Sequence, residues 1–121
     1  MKIPLKVKSN VFFRVLLDVI DKFPPIKGLM KREMDVLAEL MYQNYLNQNI
    51  TDFNKRQVIL FSTDSRNIMI ERLNMSAGSF NDYLSRLRKK KVITKDNKLM
   101  QFLNIIPDGK YEFNIKFDIN D

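Results

Sequence analysis

Apolar positions along the chain recur at two spacings, and the change between them falls near residue 91. Up to that point most recur every three or four residues, the spacing of an amphipathic helix. The pattern predicts four helices, over residues 10–23, 29–46, 63–73 and 77–90. Pro24-Pro25 ends the first of them, because proline cannot continue a helical hydrogen-bond ladder. Residues 47–62 stay ambiguous, since the run VILF suits either a buried strand or a short helix.

After residue 91 the pattern indicates strands. Residues 92–94 and 99–106 flank Lys-Asp-Asn-Lys and predict a hairpin. Five apolar residues then alternate with polar ones across residues 110–119, as in a strand with one buried face. The expected fold class is α+β, a helical N-terminal part followed by a small antiparallel sheet. We expect one compact domain, with an arm and amphipathic helix in residues 1–28 and the remainder in residues 29–121.

The amino-acid composition limits the kinds of active site, metal site and cofactor site that the chain can form. The chain of 121 residues contains no cysteine and no histidine, so disulfides, thiolate zinc and the commonest general base are all excluded. Its three glycines are too far apart to form a phosphate-cradling loop. An active site built only from Asp and Glu stays possible, but the carboxylates are scattered and nothing indicates one, so we expect no enzymatic activity, metal or cofactor. No segment has the ~20 uninterrupted apolar residues of a membrane span, so a soluble protein without a membrane partner is expected. The absence of cysteine makes the cytoplasm the expected location, or the virion if the protein is a virion component.

Positive charge is concentrated rather than spread. The formal net charge is +7, and residues 76–98 alone carry seven cations against two acids. Such a concentration favours a surface that binds a polyanion. Two plainer interpretations remain open: a solvated lysine-rich surface, or cations that complement the dipole at a helix C-terminus.

Helix 77–90 has two contrasting faces. A 100° step per residue places its apolar residues in one sector: Phe80, Tyr83, Leu84 and Leu87. The opposite sector holds Gly78, Asn81, Asp82, Ser85 and Lys89, flanked by Arg86 and Arg88. Packing gives no reason for this mixture of small, amide, hydroxyl and cationic residues. Recognition of a DNA major groove would provide one.

The stretch MIERLNMSAGSFNDYLSRLRKKKVI resembles a winged helix-turn-helix domain. Met69 and Leu73 match the packing and last positions of the first helix of the motif, Met75 the apolar residue of the turn, and Ser76 the cap of the recognition helix. KKKVI then leads into the wing. The resemblance covers roughly residues 29–102, and the composition is also similar to that of small phage-encoded proteins. The resemblance to winged helix-turn-helix domains implies a transcriptional or replication regulator that binds duplex DNA through helix 77–90.

The resemblance also implies roles for individual residues. Ser76 and Ser79, at the helix start, would meet phosphate. Asn81 and Ser85 would read bases, with Arg86 next, since asparagine pairs with adenine and arginine with guanine. The flanking cations would contact the DNA backbone, Lys95 and Lys98 from the wing: Arg88, Lys89, Lys90, Lys91, Lys95 and Lys98.

An alternative is a structural or assembly protein, such as a phage virion or connector component, that uses the same fold for protein contacts. Its support is the run 99–106, in which apolar residues would face both sides of a strand. Either helix 10–23 or another subunit would have to cover the second side. On both interpretations we expect a homo-oligomer, most simply a dimer, held by the N-terminal helix or the strand 110–119.

Overall fold

The computed structural model describes residues 7–109 as five α-helices and one short 3-10 helix. They are α1 (Ser9–Val19), α2 (Lys31–Leu46), α3 (Phe53–Leu60), α4 (Thr63–Leu73), α5 (Ala77–Lys89) and the 3-10 helix Gln101–Leu103. The four helices predicted from periodicity are confirmed, although the first ends earlier than expected. Within the described part of the chain, no helix is both long and apolar enough to cross a lipid bilayer.

Helix α2 is the centre of the fold, and it packs against each of the other four α-helices. Its buried side chains point in several directions and include Val36, Leu37, Leu40 and Met41. A helix surrounded in this way buries most of its circumference, and in α2 the buried residues also include the polar side chains Glu33, Glu39, Gln43 and Asn44. The remaining helices supply one buried face each, such as Phe13, Leu16 and Leu17 from α1.

Helix α3 resolves the ambiguous segment 47–62. It begins at the cap Asp52, whose carboxylate accepts a hydrogen bond from the Lys55 backbone N–H at 2.9 Å. Its pattern is inverted, because Arg56 and Gln57 are buried while Val58 is 71% exposed. In the apolar run 58–61 only Leu60 and Phe61 are buried, so apolar periodicity did not predict which face of this helix packs against the core.

The expected α+β fold is wrong, since residues 7–109 contain neither a strand nor a sheet. Where the hairpin was predicted, Ile93 and Leu99 form one isolated antiparallel bridge. The chain then enters the 3-10 helix and buries Leu103 instead of extending to residue 106. The structure thus lacks the wing of a winged helix in this region. The predicted strand 110–119 and most of the predicted arm lie outside the described residues.

Buried and half-buried polar side chains hold the segment that includes and follows the Ile93–Leu99 bridge. Asn44, Arg56, Gln57 and Asn104 make up a cluster that we call the polar core cluster. The Leu99 backbone N–H donates to Gln57 Oε1 at 3.0 Å. Arg56 Nη2 donates to Asn104 Oδ1 at 2.8 Å, and Asn44 Nδ2 donates to the same oxygen at 3.0 Å. Side chains of α2 and α3 therefore hold segment 99–104.

Candidate nucleic-acid interface

Helices α4 and α5 are joined by residues 74–76. Asn74 adopts the left-handed conformation (φ 53°), which asparagine tolerates better than most residues. The Met75 backbone N–H then donates to the Ile70 carbonyl at 3.2 Å, closing the last turn of α4. Ser76 caps α5, because its Oγ accepts from the Ser79 backbone N–H at 3.1 Å. The predicted turn and cap are confirmed.

Helix α5 has the two faces predicted from its sequence. Phe80, Leu84 and Leu87 are buried in the core. The opposite side chains are exposed to solvent, namely Asn81, Asp82, Ser85, Arg86 and Lys89. The three side chains predicted to read bases therefore share an exposed helix surface, together with one acid. Ser76 and Ser79 are also exposed, with their hydroxyl oxygens 3.0 Å apart.

Asn81, Ser85 and Arg86 each have a partner on this surface that limits the movement of the side chain. Asn81 Oδ1 accepts a long hydrogen bond of 3.4 Å from Arg66 Nη1 on α4. The Arg66 guanidinium is itself held by the Phe61 carbonyl, which accepts from Nε at 3.0 Å. On the same surface the Arg86 guanidinium lies 5.1 Å from the centre of the Tyr83 ring. Sequence reasoning missed Arg66, since no local spacing links a residue on α4 to Asn81.

Arg88 connects α5 to the turn that follows it. Its Nη1 donates to Asn97 Oδ1 at 2.7 Å, and its Nη2 donates to Ser85 Oγ at 3.1 Å. In the same turn Lys98 Nζ lies 3.4 Å from Asp96 Oδ2. Arg88 and Lys98 thus have intramolecular partners, whereas Lys95 is exposed without one among the described residues.

The run of three lysines divides into different environments. Lys90 Nζ donates to Glu33 Oε1 at 2.6 Å and to the Gly28 carbonyl at 3.0 Å. Lys89 and Lys91 are exposed, and their ammonium groups have no partner within residues 7–109. Lys91 has φ 64°, and its position follows the last turn of α5, where glycine is commonest. Lys90 is therefore a structural residue, while its two neighbours are free to meet a ligand.

Glu33 is the counter-ion that neutralises Lys90. Only 1% of Glu33 is exposed. Burial by itself would raise the pKa of this carboxyl group. The hydrogen bonds from Lys90 and from the Met30 backbone N–H outweigh burial, with help from the charges of Lys90 and Arg86, so its pKa lies below the ordinary value. The carboxylate consequently stays ionised and cancels the charge of Lys90 at neutral pH.

Comparison of the chain with protein-family models, curated proteins and solved structures gave no match. The assignment of a function therefore depends on the residues and geometry of this surface. Its free groups are amides, hydroxyls, a guanidinium and ammonium ions. Such groups can donate hydrogen bonds and neutralise an anion.

Proposed function

We propose that this protein binds duplex DNA through α5 and acts as a transcriptional or replication regulator. The observation that carries the proposal is the division of α5 into a buried apolar face and an exposed face with Asn81, Ser85 and Arg86. An α-helix with its side chains is about 10–12 Å across, and a B-DNA major groove is about 12 Å wide. These dimensions and side chains suit insertion of the exposed face into the groove.

The proposed roles follow from position along the helix. Asn81 and Ser85 are placed to contact base edges, and Arg86 is placed to contact a guanine. The Asn81 amide keeps its two N–H donors free, because Arg66 contacts only its oxygen. Lys89 and Lys91, with their free ammonium groups, are placed to contact phosphates at the C-terminal end of α5. Among the basic residues predicted from the sequence, Arg88, Lys90 and Lys98 support the surface through their intramolecular partners.

The dependence of binding on salt tests the phosphate contacts. Each phosphate neutralised by a lysine contributes about 0.9 to the slope of log affinity against log salt. We expect the double variant Lys89→Gln, Lys91→Gln to lower that slope by about 1.8 on a random-sequence duplex, as followed by fluorescence anisotropy. The matched control is Lys8→Gln, Lys55→Gln, which removes the same charge from exposed lysines on α1's flank and α3. Equal slopes for the parent and the α5 variant would disprove the phosphate contacts.

Base reading needs a separate test. Selection of duplexes from a random pool should return a preferred sequence, and Asn81→Ala should then lose ~1–3 kcal/mol at one base position. Non-specific binding should change little, because the substitution removes no charge. A uniform loss on all duplexes would instead make Asn81 a backbone contact. Recovery of no preferred sequence would contradict a role as a sequence-specific regulator.

A second candidate function is the assembly of a larger structure such as a phage particle; exposed apolar residues on α3 support self-association, which a DNA-binding dimer would share. Val58 is 71% exposed and Ile59 is 41% exposed, although both are β-branched apolar residues. We propose that they contact a second copy of this chain in a homo-oligomer. Light scattering should show an oligomer for the parent and a smaller species for Val58→Lys. A monomeric parent would contradict self-association, and an oligomer that buries Asn81 and Ser85 would contradict DNA reading.

A further inference from the structure

The basic end of α5 is held against another part of the chain. Lys90 donates both to the Gly28 carbonyl and to Glu33, which belong to the loop after α1 and to the first turn of α2. These partners are 62 and 57 residues away in the sequence. The contacts place the beginning of α2 beside the end of α5, a proximity that the linear charge pattern did not indicate.

Two further lysines flank this junction. Lys27 precedes Gly28, and Lys31 is the first residue of α2. Both are exposed, and neither ammonium group has a partner in the part of the chain that the structure describes. Their placement next to the groups that Lys90 binds brings them close to the C-terminal end of α5.

The electrostatics of the junction favour an anion. Residues 21–35 contain four cations and three acids, and two of the acids are paired, Glu33 with Lys90 and Asp35 with Arg14 and Arg32. Glu33 is buried and paired with Lys90, so it presents no free negative charge at this surface. The N-terminal end of α2 adds the positive end of a 16-residue helix dipole. The ammonium groups of Lys27 and Lys31 thus stay unpaired among the described residues, while the neighbouring acids Glu33 and Asp35 are neutralised by other cations.

We infer that Lys27 and Lys31 form a second phosphate-contacting patch, which binds the backbone of the same duplex that α5 enters. This inference rests on the proposed function and adds residues from outside α5 to it. The patch, at the N-terminal end of α2, and the basic end of α5 would both contact phosphates of the DNA backbone. Lys90 acts as a positioning residue, since its pairing with Glu33 keeps the two elements together.

The decisive experiment measures duplex affinity by anisotropy between 50 and 200 mM salt for Lys27→Gln, Lys31→Gln. The expected loss of two phosphate contacts lowers the salt slope by about 1.8, so the parent loses about 12-fold more affinity than the variant over this range. Lys8→Gln, Lys55→Gln should keep the slope of the parent. A variant with all four lysines at positions 27, 31, 89 and 91 replaced should lower the slope by about 3.6, because the contacts are independent.

The outcomes separate this inference from the proposed function. If the parent binds duplex DNA and the Lys27→Gln, Lys31→Gln slope equals that of the parent, the patch is disproved and DNA binding by α5 stands. If the parent does not bind duplex DNA, both are disproved. Far-UV circular dichroism and the thermal midpoint of each variant check the fold, and exposed lysine-to-glutamine changes should leave both unchanged.

Discussion

Replacement of Arg56 by methionine would test the polar core cluster, which holds the end of segment 99–104 against α2 and α3. Arg56 is 3% exposed, and its guanidinium donates to Asn44 Oδ1 at 2.9 Å, to the Ile50 carbonyl at 2.9 Å and to Asn104 Oδ1 at 2.8 Å. These partners are amide and carbonyl oxygens rather than carboxylates. Methionine has a similar length and no donor, so the substitution removes three hydrogen bonds with a modest change in volume.

The expected loss of stability follows from these three bonds. A hydrogen bond to a charged group contributes about 1.5–3 kcal/mol, so three contribute roughly 4.5–9 kcal/mol. Two effects of the substitution offset part of this loss. Folding of the parent has to remove the charged guanidinium from water at a cost of several kcal/mol, and the variant avoids that cost. The methionine side chain also buries apolar surface. Two acceptors also keep a donor, Asn44 Oδ1 from Gln57 and Asn104 Oδ1 from Asn44. We expect a net destabilisation of about 2–4 kcal/mol, which is typical of a broken buried network.

Urea denaturation followed by circular dichroism at 222 nm measures this difference. A domain of this size loses roughly 4 °C of thermal midpoint per kcal/mol, so the midpoint should fall by about 8–16 °C. Lys55→Met is the matched control, because Lys55 is the exposed neighbour of Arg56 on α3. A loss below about 1 kcal/mol, or one equal to that of the control, would refute the reasoning. Hydrogen exchange should also increase at residues 99–104, which the cluster holds.

Three other substitutions test the capping and ionic contacts of the site. Glu33→Gln should destabilise the fold by about 1–3 kcal/mol at pH 7, since it leaves Lys90 without its counter-ion. Folding lowers the pKa of Glu33, so the Glu33 carboxylate stabilises the fold above its ordinary pKa of 4.5, and this stabilisation disappears as the pH falls through the lower pKa of the folded state. The urea curves of the parent and of Glu33→Gln should therefore converge in acid. Lys91→Gly should stabilise the fold by about 0.5–1 kcal/mol, because glycine adopts the positive φ of position 91 without strain. The same change should weaken duplex binding, so urea denaturation and duplex affinity should shift in opposite directions. Ser76→Ala should cost about 1 kcal/mol in urea denaturation through the lost cap of α5.

Local sequence determined helices α1, α2, α4 and α5 and the exposed surface of α5. The apolar sector of α5, the cap at Ser76 and the left-handed turn at Asn74 depend on residues within a few positions of one another. Helical periodicity and capping chemistry act over this range, so the sequence was sufficient to predict them. The same holds for the exposure of Asn81, Ser85 and Arg86, which follows from the burial of the opposite face.

Tertiary contacts decided the features that the sequence pattern predicted wrongly or did not address. The residues after 91 predicted a hairpin of two strands, but the pairing is limited to the Ile93–Leu99 bridge and its two flanking backbone hydrogen bonds. That pairing leaves the Leu99 backbone N–H free, and Gln57 accepts from it across 42 residues of sequence. Lys90 belonged to an apparent DNA-contacting run, but Glu33 binds it from a distance of 57 residues. In both cases a buried polar group must find a partner, and the nearest suitable one is distant in sequence. Periodicity describes which face of a segment is apolar, whereas only the folded chain determines which polar groups meet.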